Sequence, residues 1–312
     1  MSFLFRRNNT YSPDKDIPDL AGKVILVTGG NNGLGKETIK QLAKHNPAKI
    51  YMGARSKAKA SAAIAELKDQ VPSANINHLE IDLASFSSIK RAAATFLAEN
   101  ECLHILVNNA GIFGTAPGLT EDGYEVQFGT NYIGPALFTE LLLPILEKTA
   151  SIAETDVRIV NISSEIYTLA PKGGLLLSQD KTPLREISSL ARYGQSKLAN
   201  IYFTKSYAKR YPAIKSVALH PGLVRTNIGG EMKGFSITSL VFGLLNKVSS
   251  VDVATGALNQ LWASTFQSEK VKSGAYYIPF FKESSRRDIT GDEKRMEELW
   301  EWTQKEFREH GL

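Results

Sequence analysis

Solid apolar blocks, more than strict alternation, set the rhythm of this chain. Lys23–Thr28 (KVILVT) reads as a strand covered on both faces, because a half-exposed strand would alternate. Gly33 to His45 reads as a helix that ends near Pro47, and Ile50 to Ala54 as a second short strand. Lys57 to Gln70, rich in Ala, Lys and Glu, is a helix closed by Pro72. Asn75 to Ile81 alternates and gives a third strand. Ser85 caps a helix that runs to Glu99, and His104–Val107 is a fourth strand. Thr120 to Lys148 carries a long helical pattern, open to interruption at Pro135 and Pro144. Val157–Ile162, Leu190–Arg210 and Ile214–Leu219 read as strand, helix and strand. Asp252–Ser264 is a helix, Gly274–Ile278 a last strand, and Gly291 to His310 a charged terminal helix.

Strand and helix alternate throughout, and crossovers of this length force parallel pairing with helices on both faces. The expected fold is therefore α/β, a doubly wound, parallel, seven-stranded sheet. No Pro/Gly/Ser linker divides the chain, so residues 21–312 form one domain behind an N-terminal extension, 1–20. Two segments break the alternation, 167–189 and 223–250. Both follow strands at their carboxyl ends, where such sheets place their sites.

Composition narrows the chemistry. The 312 residues are 43% hydrophobic and 22% charged, which excludes a disordered or fibrous chain. Cys102 is the single cysteine, so there is no disulfide, and its place before a strand makes it a packing residue. His45, His78, His104, His220 and His310 show no metal-ligand spacing, so no metal is expected. The net charge of +5 is spread along the chain, which argues against a nucleic-acid partner. No apolar run is long enough to span a bilayer. Phe3-Leu4-Phe5 precedes Arg6-Arg7, the reverse of a signal peptide's order. The expected location is intracellular and cytoplasmic, with peripheral attachment to a membrane or lipid droplet as the alternative.

Candidate chemistry begins at Thr28-Gly29-Gly30-Asn31-Asn32-Gly33-Leu34-Gly35, between the first strand and the first helix. Glycines let the backbone approach a pyrophosphate, and the helix N-terminus offers free N–H groups. A binder of unphosphorylated dinucleotide places an acid about 20 residues further on, to hold the ribose 2′-hydroxyl. Here that place is Arg55, followed by Ser56. A guanidinium clamps a 2′-phosphate, so the expected cofactor is NADP(H). Three Tyr-x-x-x-Lys pairs occur: Tyr11/Lys15, Tyr193/Lys197 and Tyr211/Lys215. Pro13 and Pro212 break the helix turn in two of them, which leaves Tyr193 and Lys197 on one face of a helix. There an ammonium is expected to lower the phenol's pKa.

Taken together, TGGNNGLG (Thr28–Gly35), Asp82-Leu83, NNAG (Asn108–Gly111), Asn131, NISS (Asn161–Ser164), YGQSK (Tyr193–Lys197) and HPGLVRT (His220–Thr226) resemble the short-chain dehydrogenase/reductase family over almost the whole chain. NNGLGKET, SKLANI and the long gap from Ser164 to Tyr193 look like its retinol dehydrogenase and WW-domain-oxidoreductase branch, though no WW domain is read here. The resemblance implies a Rossmann-type sheet with a substrate flap. It makes Tyr193 the general acid/base, Lys197 the group that binds the nicotinamide ribose and tunes Tyr193, and Ser164, three after Asn161, the partner of the substrate oxygen. Asn131 would hold a water at a bend in its helix. The cofactor would meet Gly29, Asn31, Asn32, Gly33, Leu34, Gly35, Arg55, Ser56, Asp82, Leu83, Asn109, Ala110, Gly111, Pro221, Gly222, Val224 and Thr226, besides Tyr193 and Lys197. Glu165 either lines the site or faces water.

The expected activity is hydride transfer between NADP(H) and a small-molecule carbonyl or alcohol. The apolar stretch 235–248, with Leu240, Phe242, Leu244 and Leu245, argues for a lipophilic one. The alternative is a catalytically silent dinucleotide sensor or scaffold. A homodimer is compatible with the sequence, and 235–248 would then meet the second subunit.

Overall fold

The computed structural model describes residues 11–224, 251–286 and 289–311. Thr226, the 235–248 stretch and Met1–Thr10 lie outside the described residues.

The sheet runs β1 (Val24–Thr28), β2 (Lys49–Ala54), β3 (Ile76–Glu80), β4 (Ile105–Asn108), β5 (Val157–Ile162), β6 (Ile214–Leu219), β7 (Tyr276–Ile278) and β8 (Lys282–Glu283). Its order is β3-β2-β1-β4-β5-β6-β7-β8. The seven expected strands pair in parallel, with Ile25 opposite both Ile50 and Ile105. The eighth is a correction to the seven-stranded expectation. It is two exposed residues antiparallel to β7, too short and too polar to show as a pattern.

The helices are α1 (Pro13–Asp16), α2 (Gly33–Ala43), α3 (Lys57–Gln70), α4 (Phe86–Glu99), α5 (Val126–Phe128), α6 (Gly134–Ala150), α7 (Ser189–Arg210), α8 (Val253–Thr265) and α9 (Glu293–Glu309). One apolar core joins α4, α6, α7 and α9 to the sheet through Phe96, Phe138, Tyr202 and Phe307. The other joins α2, α3 and α8 through Ile39, Leu67 and Trp262. Strands β1 and β5 are buried at every position, as continuous apolar runs require. The described part of the N-terminal extension belongs to the second core, where Tyr11, Ile17 and Leu20 are buried.

Ser85 and Asp252 cap α4 and α8 with their side chains. The Thr120–Lys148 pattern is the main departure. Helix begins only at Val126, and the interruption is a π turn over Gly129–Ile133, just before Pro135. Pro144 stays inside α6. The insertion 167–189 holds two short 3-10 turns, Glu165–Leu169 and Leu177–Gln179.

Candidate active site

The turn from β1 into α2 is built for close approach. Gly29 and Gly33 hold positive φ values of 66° and 49°. A Cβ on Gly35 would lie 2.4 Å from the Gly29 carbonyl oxygen, so helix and turn touch backbone to backbone. Asn32 makes no side-chain cap and the first turn of α2 carries no acid, which leaves its N–H groups to an anion. A dinucleotide pyrophosphate fits this cradle. Beside it, the Thr28 hydroxyl accepts hydrogen bonds from the Asn109 and Ala110 backbone N–H groups, both at 3.1 Å. The Asn109 amide donates to the Thr28 carbonyl at 2.8 Å. Thr28 therefore holds NNAG against the glycine turn, a role sequence reading missed; its place as the last residue of β1 was the available signal.

Arg55 closes β2 with its side chain 62% exposed, and its guanidinium is 3.8 Å from the Asp82 carboxylate. Ser56 caps α3, accepting from the Lys59 N–H, so its hydroxyl has a helix-starting role as well. The Asp82 carboxylate accepts from the Ala84 N–H at 2.9 Å, and Leu83 is buried under Gly134. Pro221, Gly222 and Val224 follow β6 at its carboxyl end. Gly222 has φ 93°, and Val224 bridges Val251 while packing on Gly256 of α8.

The expected catalytic side chains converge. The Tyr193 and Ser164 hydroxyls face each other, and the Lys197 ammonium stands 5.4 Å from the centre of the Tyr193 ring. Lys197 donates to the Ile162 carbonyl at 2.9 Å. The neighbouring Ser163 is spent elsewhere, donating to the Lys197 carbonyl at 2.7 Å. That leaves Ser164 as the serine facing the phenol. Asn131 lies in the π turn, the bend expected of it. Its amide joins the Ile112 carbonyl at 2.9 Å to the Ser196 hydroxyl at 3.0 Å, and its oxygen accepts from the Ile112 N–H. Gly111 lies next to it: a Cβ there would be 3.1 Å from the Asn131 oxygen and 3.5 Å from the Lys197 nitrogen.

Burial acts on both titrating groups. It pushes Tyr193 above the ordinary phenol range, opposed by the Ser164 hydroxyl. It pulls Lys197 down to about 8. The expectation that Lys197 lowers the phenol's pKa is thus corrected for the chain by itself. Desolvation wins because the ammonium lies over the ring face and points its hydrogen bond at Ile162.

Two residues outside the sequence reading shape the site. Phe113 packs edge-on against Tyr193 at 4.8 Å. A Cβ on Gly194 would sit 2.6 Å from the Ile166 carbonyl, so only glycine lets α7 meet the turn after Ser164. Behind them, Arg192 and Glu125 form a fully buried ion pair at 2.6 Å. Buried Asp180 accepts from the Gln195 amide at 2.7 Å and ties the 167–189 insertion to α7. Tyr11 is buried near Thr265 and Tyr211 ends α7, so the other two Tyr-x-x-x-Lys pairs stand apart from this site.

The description "short chain dehydrogenase" matches residues 23–174. An uncharacterized oxidoreductase of Schizosaccharomyces pombe is 40% identical over 302 residues, covering 94% of this chain and 87% of that one. The chain belongs to the short-chain dehydrogenase/reductase family. Retinol dehydrogenase 12 of Mus musculus, another relative, is 32% identical over 286 residues, covering 90% and 85%. The crystal structure of NADPH-bound carbonyl reductase from chicken fatty liver superposes with TM-score 0.62 at 27% identity, covering 85% and 99%. As a short-chain dehydrogenase/reductase, the protein is an oxidoreductase that binds a nicotinamide dinucleotide and a small molecule. Among the described residues, no helix is long and apolar enough to cross a membrane.

Proposed function

We propose that this protein is an NADP(H)-dependent oxidoreductase that reduces a lipophilic aldehyde or ketone, or oxidises the matching alcohol. The observation that carries the reading is the buried Tyr193 phenol, facing the Ser164 hydroxyl with the Lys197 ammonium over its ring. When bound, the nicotinamide supplies or takes the hydride. Ser164 holds the substrate oxygen and Tyr193 exchanges a proton with it. Burial pushes that phenol above its ordinary range, so it stands in the acid form that can give a proton. Lys197 places positive charge beside the developing alkoxide and reaches the nicotinamide ribose. Asn131 joins α7 to the segment after β4 and extends the proton path at its bend.

Arg55 supports the choice of NADP(H): it is an exposed guanidinium where an NAD binder has an acid. Gly29, Asn31, Asn32, Gly33, Leu34 and Gly35 hold the pyrophosphate. Ser56 lies at the 2′-phosphate, and Asp82 and Leu83 lie at the adenine. Asn109, Ala110 and Gly111 pack on the adenosine ribose, and Pro221, Gly222 and Val224 meet the nicotinamide. The names of two relatives, a retinol dehydrogenase and an NADPH-bound carbonyl reductase, lean the same way. A lipophilic substrate is supported by Phe113 against the phenol and by Leu169 and Leu223. These two are exposed by 51% and 44% just beyond the ends of β5 and β6.

The test is oxidation of NADPH, followed by absorbance, with a panel of aldehydes, ketones and quinones. Turnover favouring NADPH over NADH, and bulky apolar carbonyls over small polar ones, is expected. No oxidation of either coenzyme across the panel overturns the reading.

A further inference from the structure

Glu165 follows Ser164 directly and stands at the carboxyl end of β5. Its Oε1 accepts a hydrogen bond from the Tyr276 hydroxyl at 2.9 Å. Tyr276 belongs to β7, so this contact reaches past β6 from one strand end to another. Within β7 the side chains alternate: Tyr276 enters the core shared with α7, and Tyr277 the opposite one. The Glu165–Tyr276 pair therefore lies on the same side of the sheet as Tyr193. Tyr167 braces the Tyr276 ring edge-on at 5.5 Å.

Glu165 is half-buried, and among the described residues it forms no ion pair. Tyr276 satisfies one oxygen, and no described residue bonds the other. A strut between two strand ends needs only a neutral acceptor; Gln or Ser would serve. A charged acceptor with a spare oxygen, one residue from the serine that faces the phenol, suits a ligand that donates a hydrogen bond.

We infer that Glu165 is a specificity-determining residue that accepts a hydrogen bond from a hydroxyl or amine on the substrate, carried within a few atoms of the reacting carbon. The inference rests on the reading of Tyr193 and Ser164 as the groups that meet the substrate oxygen. Tyr276 holds one oxygen of the carboxylate, which leaves the other for the ligand. The substrate is then an apolar body with a donor next to its carbonyl, not a plain hydrocarbon aldehyde or ketone.

The experiment compares acetophenone, 2-hydroxyacetophenone and 2-aminoacetophenone as oxidants of NADPH, with wild type, Glu165→Gln and Tyr276→Phe. Glu165→Gln keeps an amide oxygen for Tyr276 and removes only the charge. It should lower kcat/KM for a donor-bearing ketone by about ten-fold or more, while acetophenone stays within about two-fold. Selective loss with the hydroxy or the amino compound supports the inference and says which donor is held. Equal loss for all three ketones means that Glu165 is only a strut, and no change for any means that it faces water; both overturn the inference. Tyr276→Phe should weaken the same preference in part, without loss of NADPH affinity. Ketone binding is also read without turnover, from the fluorescence of enzyme-bound NADPH. If wild type binds NADPH yet reduces none of the three, ketone binding decides, and the hydride-transfer reading is left to the wider panel above. A weaker grip on the donor-bearing ketones in Glu165→Gln would still uphold the inference, and unchanged binding would overturn it.

Discussion

Tyr193 carries one ionisable oxygen, and the proposed chemistry stands or falls on it. Tyr193→Phe should keep NADPH affinity and lower kcat by about 10²–10⁴-fold, the usual worth of a positioned acid; near-wild-type turnover would refute its role. Arg55→Ala should weaken NADPH binding and leave NADH binding nearly unchanged, in titrations of both coenzymes. Equal losses would remove the 2′-phosphate reading. Lys197 adds a pH signature. Burial lowers it to about 8, so its charge is present below that pH and lost as pH rises through it. Carbonyl reduction should therefore fall on the alkaline side of about pH 8 in a profile of kcat/KM. Tyr193 and Lys197 were legible because helical spacing and proline positions are local properties, and Ser164 because it stands three after Asn161 in a motif that resembles the family's. Thr28, Glu165 and Phe113 were not, because their meaning lies in partners far along the chain. Tyr276, which engages Glu165, is 111 positions away.

Elements were legible where caps and apolar runs mark them: β5 and β6 match their expected bounds, and α3 begins and ends where Ala, Lys and Glu predict. The long helix expected from Thr120 was not, because the sequence shows helical spacing but not a π turn, whose extra residue per turn is set by packing around Asn131. Gly194 has a meaning only at this scale. Gly194→Val would drive a side chain into the Ile166 carbonyl and separate α7 from the turn that carries Ser164. At least a ten-fold loss of kcat is expected, with NADPH affinity kept; unchanged kcat would show that the two elements are not held in register there. The Arg192–Glu125 pair locks the start of α7 to α5. Arg192→Met leaves a buried carboxylate unpaired and should cost about 3–5 kcal/mol in denaturant unfolding.

For the molecule as a whole, α/β alternation announced the layers and the parallel pairing, because crossovers of this length leave few ways to connect such elements. It could not announce what each loop seals. His220, beyond β6, is half-buried with its Nδ1 enclosed and unbonded, and burial lowers it to about 4. The unfolded imidazole titrates near its ordinary value of 6.5, so between 6.5 and 4 the unfolded chain binds the extra proton. Stability is full above that window and falls through it as pH drops, by at most ~3 kcal/mol. Denaturation midpoints at pH 7.5 and 4.5 should differ less in His220→Asn than in wild type. The strand order also sets a timetable for a chain emerging from the ribosome. β1 pairs with β2 on one side at once, but its other neighbour is β4. Roughly 80 residues separate β1 from β4, about 4–16 s of synthesis. Through that interval the most apolar strand of the nascent half-sheet presents an open edge, the kind of surface on which chaperones and misassembly compete.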